Sequence, residues 1–245
     1  MPRAHRYFLP NHVWHITHRC HQREFLLKFS RDRRRWVYWL YEAKKRFGLC
    51  VLNYVVTSNH IHLLVRGREG EEIARSMQLI AGRTAQEFNQ RKQRKGAFWE
   101  DRYHATAVDT DEHLARCLVY IDLNMVRAGV VSHPNAWVQG GYHEIQNPPK
   151  RYATVNLAAL CELLGMRHLQ QLQQAHAQWV EEALRAHNPV RDPIWTEGLA
   201  VGGRSFVERV QDALGVKARY RDIADAGSAH VLRESAGDYT VSLDQ

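Results

Sequence analysis

At 245 residues the chain is long enough to bury a sizeable core, and a composition 44% hydrophobic and 10% aromatic excludes an intrinsically disordered protein. With 24% charged residues, a mean hydropathy of −0.50 and no apolar run near the ~18 residues of a spanning helix, an integral membrane protein is excluded as well. The net charge of +8 is uneven: residues 1–100 hold 20 Lys and Arg against 8 Asp and Glu, a balance of +12, and residues 101–245 hold 14 against 18, a balance of −4. A basic half interspersed with Trp14, Trp36, Trp39 and Trp99 suits a polyanion binder, most often of nucleic acid, although the same cations also serve to solvate helix faces. The N-terminus lacks the apolar stretch of a secretory signal, and Cys20, Cys50, Cys117 and Cys161 form no CxxC pair. A reduced cytoplasmic protein without a zinc ribbon or a disulfide framework is expected.

In chain order, Val13 to Arg19 is β-branched and aromatic and follows the turn-forming Pro10-Asn11, which predicts a first strand. Ser30 to Phe47 repeats apolar residues at helical spacing, with Ser30 as N-cap and Gly48 as terminator. Leu49 to Thr57 and His60 to Arg66 read as a hairpin around Ser58-Asn59. Glu71 to Gln90 is helical, Phe98 to Val108 a fourth strand, and Thr110 caps a helix that runs to Gly129 with Asp111 and Glu112 in its first turn. The order β-α-β-β-α-β-α predicts an α+β fold, a ferredoxin-like split βαβ antiparallel sheet with helices on one face. Gln146 to Lys150 reads as a linker between a first domain, residues 1–147, and a C-terminal α-helical extension, residues 151–245. In that extension 154–187 and 205–214 look helical, 188–203 irregular, and the tail after Ala226 loosely ordered.

His60-Ile61-His62 lies within the third strand, so both imidazoles point to one face with Cα atoms ~6.6 Å apart, two residues at about 3.3 Å each, a spacing that suits two ligands of one metal. With 15 histidines in the chain about one such pair arises by chance, and taken alone it reads more readily as surface or core-edge histidines than as ligands. Tyr120 and Asn124, four apart on the last helix, present a phenol and an amide on one side, and that helix can cross the face displaying His60 and His62. Two imidazoles and an amide oxygen would hold a divalent metal with positions left for a phosphate oxygen. A tyrosine that merely packs on the sheet has the same spacing.

Three blocks carry a resemblance to a known family. Asn53-Tyr54-Val55-Val56-Thr57-Ser58-Asn59-His60-Ile61-His62-Leu63-Leu64-Val65 resembles the metal-binding strand pair of the IS200-like transposases, the single-tyrosine HUH endonucleases. Gly96-Ala97-Phe98-Trp99-Glu100-Asp101-Arg102-Tyr103-His104 is similar to the strand before the nucleophile helix in their REP-associated branch, and Tyr120 to Gly129 resembles that helix. The blocks appear in the family's order across about residues 7–145. Departures are Thr57-Ser58 where relatives have Met-Pro, Met125 where many have Pro, and Cys20-His21-Gln22 in place of a Gly-Asn-Asn run.

The resemblance implies that Tyr120 is the nucleophile, that His60 and His62 bind Mg²⁺ or Mn²⁺, and that Asn124, at a position that varies among relatives, is the third ligand. It implies metal-dependent cleavage and strand transfer on single-stranded DNA next to REP-like hairpin repeats, through a 5′-phosphotyrosine, with no nucleotide cofactor and no membrane, by a monomer or a dimer. Arg19, Arg23 and Arg102 are candidate phosphate contacts, and Trp99 and Tyr103 candidate base-stacking residues. The alternatives are a non-catalytic or domesticated DNA-binding protein on the same fold, which a cleavage assay separates, and a metal-dependent hydrolase of small phosphoesters, which would turn over without a protein–DNA adduct.

Overall fold

In a computed structural model that describes residues 8–110, 112–186 and 192–234, the first half of the chain follows the expected order: β1 (Val13–Arg19), α1 (Ser30–Phe47), β2 (Cys50–Val56), β3 (His60–Arg66), α2 (Glu71–Lys92) and β4 (His104–Val108). α1 stops at Gly48, whose φ of 70° is the left-handed cap conformation open to glycine, and its N–H bonds the Lys44 carbonyl. Ser30 is not the N-cap. Phe29 holds that extended position, and the Ser30 hydroxyl accepts from Arg34 Nη1 at 3.1 Å and Gln139 Nε2 at 3.4 Å.

The four strands pair antiparallel in the order β2-β3-β1-β4. α1 and α2 occupy one face as expected, where fully buried Trp36 meets Tyr54 with ring centroids 6.3 Å apart. Side chains alternate along β1 and β3, and the register sets Thr17 opposite His62 and Arg19 opposite His60. His15, Thr17, Arg19, His60 and His62 therefore share the other face. α3 (Glu112–Asp122) covers it, followed after Leu123 (φ −78°, ψ 3°) by α4 (Asn124–Arg127), so the expected single helix to Gly129 is two pieces. Asp111, read as a first-turn acid, lies outside the described residues.

β4 is shorter than expected because the chain from Phe98 to Glu100 bonds the segment beyond β1 instead: Phe98 accepts from the His21 N–H, and Glu100 N–H donates to the Arg19 carbonyl. At the opposite edge β2 is buried along its whole length. Val56 N–H donates to Gln139, Gly141 N–H to Tyr54 and Asn156 N–H to Val51, so the chain around α5 (Tyr142–Gln146) occupies hydrogen-bonding groups that an open edge would expose.

The extension is not helical throughout. α6 (Leu157–Leu163) and α7 (Leu169–Arg185) flank Gly165, which has φ of 63°, and then come α8 (Ile194–Glu197), β5 (Ala200–Gly202), α9 (Arg204–Leu214), β6 (Arg221–Asp225) and β7 (His230–Glu234). β5 joins parallel to β4, and β7 and β6 extend the sheet to seven strands in the order β2-β3-β1-β4-β5-β7-β6. Three residues of β5 are too few to show alternation, and the segment expected to be loose after Ala226 forms β7. Residues 235–245 lie outside the described residues. Cys20, Cys50, Cys117 and Cys161 are free thiols, and among the described residues no helix is long and apolar enough to cross a membrane.

α3 is fastened by a buried polar chain. Asp122 accepts from Asn53 Nδ2 at 3.0 Å and from His176 Nε2 of α7 at 2.7 Å, and Gln146 Nε2 donates to His176 Nδ1 at 2.9 Å. The His176 and Asp122 side chains are 0% and 1% exposed, so neither can turn to water for a replacement bond. His176→Ala is expected to lower the unfolding free energy by about 3 kcal/mol, from the cavity and the stranded carboxylate oxygen together, as read by urea titration.

Candidate active site

The face shared by β1 and β3 opens, beside α3 and α4, into a cleft of about 640 Å³. Its lining includes His60, His62, Tyr120 and Asn124, with Arg19, Arg102 and Arg127 among the cations. Alternation on β3 brings in the two imidazoles, whose ring centroids are 5.0 Å apart, and α3 brings the Tyr120 ring to 5.7 Å from His62. Tyr120 is 7% exposed. Two further rings hold it, His15 at 6.0 Å and Trp195 of α8 at 6.1 Å. The Arg127 guanidinium lies 4.2 Å from the centroid of the Tyr120 ring and donates to the Tyr120 carbonyl. Burial lowers the pKa of Arg127, and the proximity of Tyr120 and Asp192 works against that shift.

The imidazoles are suited to ligation. His60 Nδ1 lies 2.7 Å from Asn59 Oδ1, and the Asn59 amide nitrogen is committed to the Arg23 carbonyl at 3.1 Å, so Nδ1 of His60 carries the proton and Nε2 carries the lone pair. Asn124 Nδ2 donates to His62 Nε2 at 2.8 Å, which makes that nitrogen an acceptor too. Among the described residues no three His, Cys, Asp or Glu side chains gather as a metal site. The donor set that fits a divalent cation is the mixed one, His60, His62 and the Asn124 amide.

The sequence-based candidates divide between two places. Arg19 and Arg102 line the cleft. Trp99 and Tyr103 line a second hollow, toward α2, which shares His18, Asp101 and Arg102 with the first. The Trp99 ring stacks on His18 with centroids 4.1 Å apart, and its indole N–H donates to the Ala81 carbonyl. Arg23 sits on the exposed loop after β1, with its carbonyl against the β2–β3 turn. Sequence reasoning missed His15, Arg127 and Trp195. Arg127 had a signal, since 120, 124 and 127 share one helical face.

Residues 9–124 match the family described as transposase IS200 like. The matched segment runs from the residues before β1 to Asn124 and so contains His60, His62, Tyr120 and Asn124, whereas Arg127 and Trp195 lie beyond it. Solved structures that match include a REP-associated tyrosine transposase bound to a REP hairpin, 19% identical, covering 59% of this chain and 84% of that one with a TM-score of 0.49. Another is a candidate transposase from Deinococcus radiodurans, 17% identical, covering 48% and 94% with a TM-score of 0.35. No curated protein matches.

His15 is fully buried, and burial lowers its pKa from 6.5 to about 3. Between those two values the unfolded chain takes a proton on His15 that the folded chain refuses. The group therefore favours folding fully above pH 6.5 and progressively less as pH falls toward 3, by about 1.4 kcal/mol per unit. Urea unfolding between about pH 7 and about pH 4 should show a shallower pH dependence for His15→Gln than for the parent. Equal slopes would count against a buried neutral His15.

Proposed function

We propose that this protein is a metal-dependent single-stranded DNA endonuclease and strand transferase that cuts next to hairpin repeats through a 5′-phosphotyrosine on Tyr120. The observation that carries the reading is the convergence of Tyr120 with His60, His62 and Asn124 in one arginine-bearing cleft, inside a segment that matches the IS200-like transposases. Hairpin repeats as the substrate follow from the resemblance of the blocks at 53–65, 96–104 and 120–129.

His60, His62 and Asn124 would hold Mg²⁺ or Mn²⁺, which when bound polarises the scissile phosphate and offsets its charge. The Tyr120 phenol oxygen attacks the phosphorus and gives its proton to water. The bond to the 3′ oxygen breaks, and that oxygen leaves with the electron pair and takes a proton from water, giving a free 3′-hydroxyl. The energy of the phosphodiester is kept in the phosphotyrosine, so a 3′-hydroxyl can reverse the step without a nucleotide triphosphate. Arg127, against the Tyr120 ring, and Arg19 and Arg102, at the rim, meet the phosphates, with Arg23 on the adjoining loop. Bases that pass Arg102 reach the second hollow, where Trp99 and Tyr103 stand.

Tyr120→Phe is expected to abolish the covalent adduct with a labelled single-stranded hairpin substrate while binding stays within about threefold, since only the attacking oxygen is lost. Adduct formation by that variant ends the assignment. Binding without any adduct by the parent protein, with Mg²⁺ and Mn²⁺ both supplied, favours the non-catalytic DNA-binding reading. His62→Ala should remove metal-dependent cleavage, and cleavage that survives with its metal requirement intact excludes the ligand role.

A further inference from the structure

A metal-binding imidazole must present its lone pair, which means its proton must be on the other ring nitrogen and must be held there. Asn124 satisfies His62 Nε2 by donating to it at 2.8 Å, but an amide that turns its oxygen to a cation no longer makes that bond. Some other group has to keep the His62 proton on Nδ1.

The other side of His62 supplies it. His62 Nδ1 lies 2.8 Å from His15 Nε2, and His15 Nδ1 lies 2.8 Å from the Trp195 carbonyl oxygen. The two rings are nearly coplanar, 9° apart in orientation with centroids 5.0 Å apart. A carbonyl oxygen only accepts, so His15 Nδ1 carries a proton; in the neutral ring His15 Nε2 is then an acceptor, and the proton between the two imidazoles belongs to His62 Nδ1. The chain has one direction, Trp195 carbonyl to His15 to His62, and it ends with a lone pair on His62 Nε2 aimed into the cleft. Its origin is fixed by β4: Thr106 Oγ1 donates to the Gly198 carbonyl at 2.7 Å and reaches the Trp195 carbonyl at 3.4 Å, and His104 Nε2 bonds the Gly198 carbonyl at 2.9 Å.

We infer that His15 is a positioning residue that sets the tautomer and ring orientation of His62, and that the C-terminal extension takes part in metal binding through the backbone carbonyl of Trp195. This rests on the reading of His62 as a ligand. His15 touches neither substrate nor cation, and it acts only through His62. The extension, whose purpose the sequence left undisclosed, thereby acquires a defined contact with the chemistry 133 positions upstream, from Trp195 to His62.

The test uses the full chain with two readouts. A long-range ¹H–¹⁵N spectrum near neutral pH, with His62 assigned by its loss in His62→Ala, shows which ring nitrogen is protonated. Titration with Mn²⁺ alone, followed by electron paramagnetic resonance, gives the affinity. The expected results are a proton on His62 Nδ1 in the parent and about 10–100-fold weaker Mn²⁺ binding in His15→Leu, with the loss largely restored in His15→Gln, whose amide has a donor for Trp195 and an acceptor for His62. A His62 proton found on Nε2 in the parent overturns the inference, and that measurement stands even where His15→Leu fails to fold. A folded His15→Leu that binds Mn²⁺ like the parent, while His62→Ala does not, overturns the inference alone. Unchanged Mn²⁺ binding in His62→Ala removes the ligand reading and this inference with it.

Discussion

The pairing of Thr17 with His62 and of Arg19 with His60 determines which face of the sheet carries both imidazoles and His15. Side-chain direction in a strand has a period of two, so a slip of one residue between β1 and β3 would turn the groups of the slipped strand into the layer under α1 and α2 and part His15 from His62. The apolar half of the alternation prevents it. Ile16, Ile61, Leu63 and Val65 are fully buried on the α1 and α2 side, and at about 1.5–3 kcal/mol per buried side chain their burial is comparable to the whole stability of a domain, about 5–15 kcal/mol. The register that the core requires is thus the register that assembles the site.

That face then poses a problem for α3, because a helix laid on buried histidines and an asparagine covers polar groups that water would otherwise satisfy. The fold answers with paired groups. Asn53 and His176 meet Asp122, the Trp195 carbonyl meets His15, and Arg127 meets the Tyr120 carbonyl. His176 and Trp195 come from the extension, so the second part of the chain completes the hydrogen bonding of the face on which the first part places Tyr120. β5 pairs with β4 just after α8, and Thr106 of β4 bonds the Gly198 carbonyl between them, which ties the segment carrying Trp195 to the sheet.

β1, α1 and β3 were legible to the residue, because each combines strong periodicity with a clear stop, and the same two periods found His60 with His62 and Tyr120 with Asn124. His15 was hidden because its importance comes from a sheet pairing with a residue 47 positions away, and the partner that fixes it is a backbone carbonyl 180 positions away, which no side-chain pattern announces. The aromatic interleaving of the basic half was misleading in part. Trp14, Trp36 and Trp39 are buried in the core, and only Trp99 is left at the rim of a hollow. β5 to β7 escaped notice because their strands are short and, in β6 and β7, mostly charged at the outer positions.

The same holds for charge. Several of the 20 cations of the first hundred residues are already committed: Arg33 is buried and donates to the Leu27 and Lys28 carbonyls and to Gln139, and Arg35, Arg46, Arg91 and Arg94 are paired with Glu87, Glu42, Asp32 and Glu24. Among the described residues that line the cleft, Arg19, Arg102 and Arg127 face Glu100 and Asp101, a balance of +1, and the Arg19–Glu100 contact at 3.9 Å is exposed enough that releasing Arg19 costs little. A lining so nearly balanced would draw little of its pull on a phosphate from side chains alone. Two neutral imidazoles and an amide, however, cancel none of a divalent cation's charge, whereas carboxylate ligands would cancel most of it. In the proposed site the whole of that charge would then fall on the substrate, and the ligands would hold the cation weakly in return. A site built this way would depend on how well its few lone pairs are aimed, and so on the His15 ring that bonds His62 Nδ1.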